Sequence, residues 1–122
     1  MIVLTSYGYT KGEAGGRPTI TVDASEWPGI PRGMHHLTGL NRAIQTHVMA
    51  NPLVRQVVTL LIAHVDTLTN NLTDEDATVS VGVRCKDGRH RSVAAVEVMY
   101  KALTDKGHRV RVHHRDLGVN NG

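Results

Sequence analysis

The chain has 122 residues, 40% of them hydrophobic and 20% charged, with a formal net charge of +3 and eight histidines. That length suits one domain with a real core, and so mild a charge excess names no partner by itself. Three tyrosines, one tryptophan and no phenylalanine make the core aliphatic and argue against stacking on single-stranded nucleic acid, and a single cysteine excludes an intrachain disulfide.

Met1–Gly8 lacks the basic region and apolar core of a signal sequence, and no stretch reaches membrane-spanning length. The chain therefore reads as cytoplasmic, with no membrane partner. Residues 2–7 predict a short buried strand, and Gly8–Arg17, with four glycines, a mobile loop. Thr19–Asp23 alternates as a second strand. Trp27–Gly33 holds two prolines and two glycines, which predicts a connector without regular structure.

A first helix is predicted from about Thr38 to Ala50, with Leu40, Ile44 and Val48 on one face. Asn51-Pro52 pairs an N-cap residue with proline at the first helical position, which starts a second helix running to about Asn70. Along it Val54, Val57, Val58, Leu61, Val65 and Leu68 recur at helical spacing; they are core or the face of a homo-oligomer. Ala77–Arg84 reads as a strand. Arg91–Lys106 reads as a nearly all-apolar, buried helix, with Gly107 where a C-terminal cap belongs. His108–His114 closes the fold as a strand, Val110 and Val112 on one face and Arg109, Arg111, His113 and Arg115 on the other. Residues 118–122 read as a flexible tail. The fold class is α/β, a small layered domain with a mostly parallel sheet of about four strands and three helices. Residues 77–114 predict a βαβ unit, parallel with a right-handed crossover.

The most informative stretch is Val81-Gly-Val-Arg-Cys-Lys-Asp-Gly-Arg-His-Arg-Ser-Val93. A strand here delivers a glycine-containing loop onto a helix N-terminus, whose unpaired N–H groups and dipole favour an anion. Gly88 lets the backbone approach the anion, and Lys86, Arg89, His90 and Arg91 supply cationic donors. In a parallel sheet ligands bind beyond the carboxyl ends of the strands, so the loops after residue 7, Asp23, Arg84 and His114 should gather at one edge.

Cys85 to Arg91, followed by Ser92, also fits the C-x5-R-S pattern of cysteine-dependent phosphatases. In that reading Cys85 is the nucleophile, Arg91 binds the equatorial oxygens and Ser92 assists thiolate release; the bland alternative is an inert buried thiol. The histidines, among them His35, His36, His90, His113 and His114, form no helical metal-ligand pair with a carboxylate, so no metal is assigned. The Arg109, Arg111, His113, Arg115 stripe either follows an RNA backbone or protects an edge strand from pairing.

Ser6-Tyr-Gly-Tyr9, Val22-Asp23, Leu37-Thr-Gly-Leu-Asn41, the Cys85–Val93 loop and His114-Arg-Asp116 together resemble the landmarks of the RapZ C-terminal domain family. That family shows, in order, S-F-G-F/Y, F-D-V-R, L-T-G-x-D, G-C-T-G-G-x-H-R-S-V and H-R-D/T. The resemblance implies a cytoplasmic sensor and RNA-binding adaptor whose C-terminal domain binds glucosamine-6-phosphate, with RNA or a regulatory protein as partner and no cofactor. It implies that Gly88, His90, Arg91 and Ser92 hold the phosphoryl group, that Asp23 meets sugar hydroxyls or the amine, and that Arg115 and Asp116 lie near the pocket. The loop departs from the pattern at Lys86 and Asp87. No G-x-x-x-x-G-K-S/T occurs, so residues 1–122 are expected to be one stand-alone domain without the family's P-loop partner domain.

Overall fold

The computed structural model of the chain describes residues 1–118; the predicted tail falls almost wholly outside them. The elements in chain order are β1 (Ile2–Gly8), β2 (Ile20–Asp23), α1 (Arg42–Ala50), α2 (Pro52–Asn70), β3 (Val79–Cys85), α3 (Arg91–Asp105) and β4 (Val110–His114). The strands form one sheet in the order β2-β3-β1-β4, every neighbouring pair parallel. The expected fold class is the observed one. β3 and β4 run parallel as a βαβ unit requires, but β1 lies between them.

Strand alternation divides the sheet into two unlike faces. Ile2 and Leu4 of β1, with Val79, Val81 and Val83 of β3, join Ile44, Val48, Val54, Val58, Val65 and the apolar side of α3 in one core. Full burial of an aliphatic side chain such as Ile44, Leu4 or Val58 contributes about 1.5–3 kcal/mol each. The other face carries Thr5, Tyr7, Ser80, Arg84, Thr21, Asp23, Arg111 and His113; among the described residues no helix covers it, but the loop after β1 lies over part of it and leaves Tyr7 only 2% exposed. A parallel sheet ordinarily has helices on both faces. Here all three pack on one.

The sequence signals act as expected at α2, where the Asn51 side chain accepts from the Leu53 and Val54 amides and Pro52 follows. Gly107 takes the left-handed φ of +91° that ends α3. Several expectations need correction. Leu40 is 52% exposed and precedes the first helix, which begins at Arg42. Asn41 caps that helix through the Ala43 amide, and the turn before it serves another contact, Gly39 N–H to the Arg89 carbonyl. Val57 is half-exposed on the far side of α2. The connector includes a short 3-10 turn, Arg32–Met34, and another, Tyr9–Lys11, opens the glycine-rich loop. Ala77 closes a turn onto Asp74, so the third strand starts at Val79 and runs one residue further, to Cys85.

Candidate functional site

Because all four strands are parallel, their carboxyl ends, Gly8, Asp23, Cys85 and His114, emerge at one edge of the sheet. The loop from Lys86 to His90 crosses that edge between β3 and α3. It rests directly on the end of β1. A Cβ on Gly8 would stand 2.3 Å from the Asp87 carbonyl carbon, and one on Gly88 would stand 2.5 Å from the Gly8 nitrogen. Gly88 also has φ +70°, a conformation costly for any side chain. The glycine expected to let the backbone approach an anion lies against the main chain of β1, and it is buried. Gly39 makes the corresponding contact on the helix side, its missing Cβ leaving room for the Ala94 amide and the His90 carbonyl.

The three α-helices begin differently. Asn41 and Asn51 cap α1 and α2 with their side chains, whereas His90, at the N-cap of α3, makes no side-chain cap bond. The first-turn amides of α3 have no intrahelical acceptor, and the positive end of the helix dipole faces the same way. Beside this terminus lies a cavity of about 330 Å³ lined by Cys85, Lys86, Asp87, Arg89, His90 and Arg91, with His35, Ile30 and Gly29 on the connector side. A second hollow of about 290 Å³ lies across Asp87 and Arg89, walled by Lys11, Asp116 and Gly118.

Lys86 is exposed, while its basic neighbours are held by backbone carbonyls. Arg91 Nη1 donates to the carbonyls of Ser25 and Trp27, each at 2.9 Å. Arg89 donates to the His36 carbonyl at 3.2 Å. His90 Nε2 lies 3.0 Å from the His35 carbonyl, which can only accept, so that nitrogen carries the proton. The connector thus fixes the cationic wall in place.

Of the residues expected to contact a ligand, the structure gathers Lys86, Arg89, His90 and Arg91 around one cavity and places the others elsewhere. Ser92 is fully buried, its Oγ 3.1 Å from the Sγ of Cys85, which is itself only 3% exposed. Asp23 is exposed on the sheet face away from the helices. Hydrogen bonds from Ser25 and then Arg84 hold its carboxyl below the ordinary carboxylate value. Arg115 is a strut: it donates to the carbonyls of Gly8, Gly12 and Glu13, and its guanidinium lies 5.1 Å from the Tyr7 ring centroid. Asp116, buried beside it, accepts the Gly8 amide at 2.7 Å.

Sequence reasoning missed two features. One is the pair of close approaches at Gly8 and Gly39; the only available signal was that both glycines fall inside motif-like runs. The other is a chain of bonds from Ser6 Oγ to His114 Nδ1 at 2.7 Å and from His114 Nε2 to Glu97 at 3.0 Å. It ties β1, β4 and α3 together just beneath the site. Glu97 can only accept, so Nε2 carries a proton, and Nδ1 shares the second bond with the Ser6 hydroxyl. Ser6 is fully buried, so these bonds act as a brace.

A family model described as the RapZ C-terminal domain matches residues 1–118, the whole described structure. The chain belongs to that family. Curated relatives called nucleotide-binding proteins share 35% identity with it in Desulforamulus reducens, over 66% of this chain and 28% of the relative. The corresponding protein of Acetivibrio thermocellus is 35% identical over 74% of this chain and 31% of its own length. A third, from Limosilactobacillus reuteri, is 29% identical over 69% and 29%. This RapZ C-terminal domain therefore spans less than a third of the relatives it matches. Among its described residues no single helix is long and apolar enough to cross a membrane.

Burial pushes the His90 imidazole of this domain below its ordinary value, and the Arg89 guanidinium adds to the effect, outweighing the His35 and Leu37 carbonyls. The unfolded chain then binds a proton that the folded chain resists. Stability contributed by neutral His90 is expected to be present at neutral pH and to fall as the pH drops below the ordinary 6.5. Melting curves of wild type and His90→Asn between neutral and mildly acidic pH check this. The variant should lose part of that slope, and equal slopes would remove His90 as its source.

Proposed function

We propose that this RapZ C-terminal domain binds a small phosphorylated metabolite, of the amino-sugar phosphate type that the family resemblance implies, and acts as a cytoplasmic sensor through a partner. The observation that carries the reading is the uncapped N-terminus of α3 opening beside a cavity walled by Lys86, Arg89 and Arg91. A phosphate there receives main-chain N–H groups and charge-assisted side-chain bonds together. The cavity volume is at the lower end of ordinary small-molecule sites.

A route outward from the site supports the sensing half. Thr10 donates to the Lys86 carbonyl through both its amide and its hydroxyl, and the hydroxyl also bonds Asp87. An anion that orders residues 85–92 acts on the glycine-rich segment through Thr10, and that segment is exposed to a partner. The stripe of Arg111 and His113 on the edge strand, with Arg109 just before it, all exposed, favours RNA as a second kind of partner. The phosphatase reading keeps its loop, with a buried nucleophile, and requires turnover that Cys85→Ser abolishes.

The test is thermal unfolding of wild type, Lys86→Ala and Arg89→Ala against sugar phosphates, nucleotides and inorganic phosphate. A ligand at about one hundred times its Kd should stabilise wild type by about 2.7 kcal/mol, and both variants should lose most of that shift. Absence of a shift with every compound would overturn the metabolite reading in favour of a macromolecular partner.

A further inference from the structure

Asp87 and Arg89 line both the cavity at the start of α3 and the hollow beside it. Asp87 is a carboxylate among cations, with Lys86, Arg89 and Lys11 around the same space. Yet among the described residues it forms no ion pair. Its place is fixed from several sides. The Asp87 carbonyl group packs against Gly8, where the missing Cβ leaves room for it. The Thr10 amide donates to the preceding carbonyl, that of Lys86, at 3.2 Å, and the Thr10 hydroxyl donates to Asp87 Oδ1 at 3.2 Å. Lys11 Nζ reaches the Asp87 main-chain oxygen at 3.4 Å, which keeps the ammonium at the backbone and off the carboxylate. A charged carboxylate is thus held, exposed, where the two hollows meet.

Charge decides what can follow a phosphate into this site. A phosphate at the α3 N-terminus takes up Lys86, Arg89 and Arg91 together with the first-turn amides. The second hollow is then left with Lys11, Asp87 and Asp116. Asp116 is already matched by Arg115 at 2.9 Å, so Lys11 and Asp87 balance each other. A second phosphoryl group would bring about two more negative charges to a wall with no net charge to receive them, next to a like charge that is held in place. An uncharged hydroxyl group instead finds a donor in Lys11 and an acceptor in Asp87.

We propose that Asp87 is a specificity-determining residue, which admits ligands with one phosphoryl group and turns away those that carry a second. The proposal rests on the anion-site reading above and adds what that site refuses.

Calorimetric titration with glucose 6-phosphate and glucose 1,6-bisphosphate at fixed ionic strength tests it, on wild type, Asp87→Asn, Asp87→Ser and Lys86→Ala. Asparagine matches aspartate in size and keeps an oxygen for Thr10, so only the charge changes. Serine removes the charge in a second way, and circular dichroism verifies that each variant folds. Wild type should bind the bisphosphate about tenfold more weakly than the monophosphate, or ~1.4 kcal/mol. Both neutral variants should abolish or invert that preference, whereas Lys86→Ala should weaken both ligands. Added salt should shrink the preference in wild type. A wild type that binds the bisphosphate as tightly as the monophosphate overturns the role of Asp87, as does a preference that survives both neutral variants. In either case the anion site stands. Failure of both ligands to bind wild type removes the site, and the proposal with it.

Discussion

Gly8→Ala is expected to lower stability by about 3 kcal/mol or more, enough to leave a small domain largely unfolded at moderate temperature. The added methyl would lie 2.3 Å from the Asp87 carbonyl carbon and 2.6 Å from both the Asp87 oxygen and the Gly88 nitrogen. These are main-chain atoms, which cannot swing aside as the tip of a side chain can. The Lys86–His90 loop would have to lift from the sheet, taking with it the geometry of the cationic wall. Chemical denaturation of Gly8→Ala beside Gly15→Ala checks the claim, because a Cβ at Gly15 meets nothing within 4 Å. Gly15→Ala should be close to neutral. If both variants match wild type, the loop does not need its close seat on β1.

Asp116→Ala is expected to cost about 3 kcal/mol at neutral pH, the range for removing one partner from a buried charged hydrogen-bond network. The Gly8 amide would lose its 2.7 Å acceptor, and Arg115 would keep its three carbonyls but lose its counter-charge. Burial alone would raise the Asp116 carboxyl, but hydrogen bonds from Arg115 and the Gly8 amide, with the Arg115 charge, bring it below the ordinary value of 3.8. A carboxyl depressed in the folded state contributes stability that is complete above the unfolded value and disappears as the pH falls through the folded one. The penalty of Asp116→Ala should therefore be largest near neutrality and shrink in acid below about pH 4. A penalty that stays constant down to pH 2 would assign the loss to packing instead of charge. Asp116→Asn should recover part of it, since an amide oxygen still accepts from Gly8.

Much of this arrangement was legible in the chain, and what was hidden has a common cause. The elements were readable because their signals are local: Asn51-Pro52 starts α2, Gly107 ends α3, and the valines of β3 alternate. Parallel strands then placed four loops at one edge, and the cationic run Lys86 to Arg91 fell beside a helix N-terminus as its sequence suggested. The roles of individual side chains were less accessible. Arg115 resembles a ligand contact in sequence and supports three carbonyls in space; Asp23 resembles one and pairs with Arg84. Both depend on partners far away in the chain, 61 residues for the Asp23 pair, so no local pattern announces them. Gly88, read as a place where the backbone approaches an anion, lies against the main chain of β1, a contact 80 residues away in sequence that no local pattern announces. Leu40 was misplaced because helical spacing extends past the point where Gly39 is needed against α3.

The one-sided sheet has a consequence for how this domain tolerates change. Along each strand, successive residues answer to different demands: one must fit a fixed packing of helices, the next lies under the loop after β1 or, on the edge strand β4, meets water. Saturation mutagenesis of β3 and β4 should therefore find strict demands at Val81 and Val83 and tolerance at Arg111 and His113, which are exposed. On the edge strand β4 the exposed positions can take up new contacts without repacking the interior.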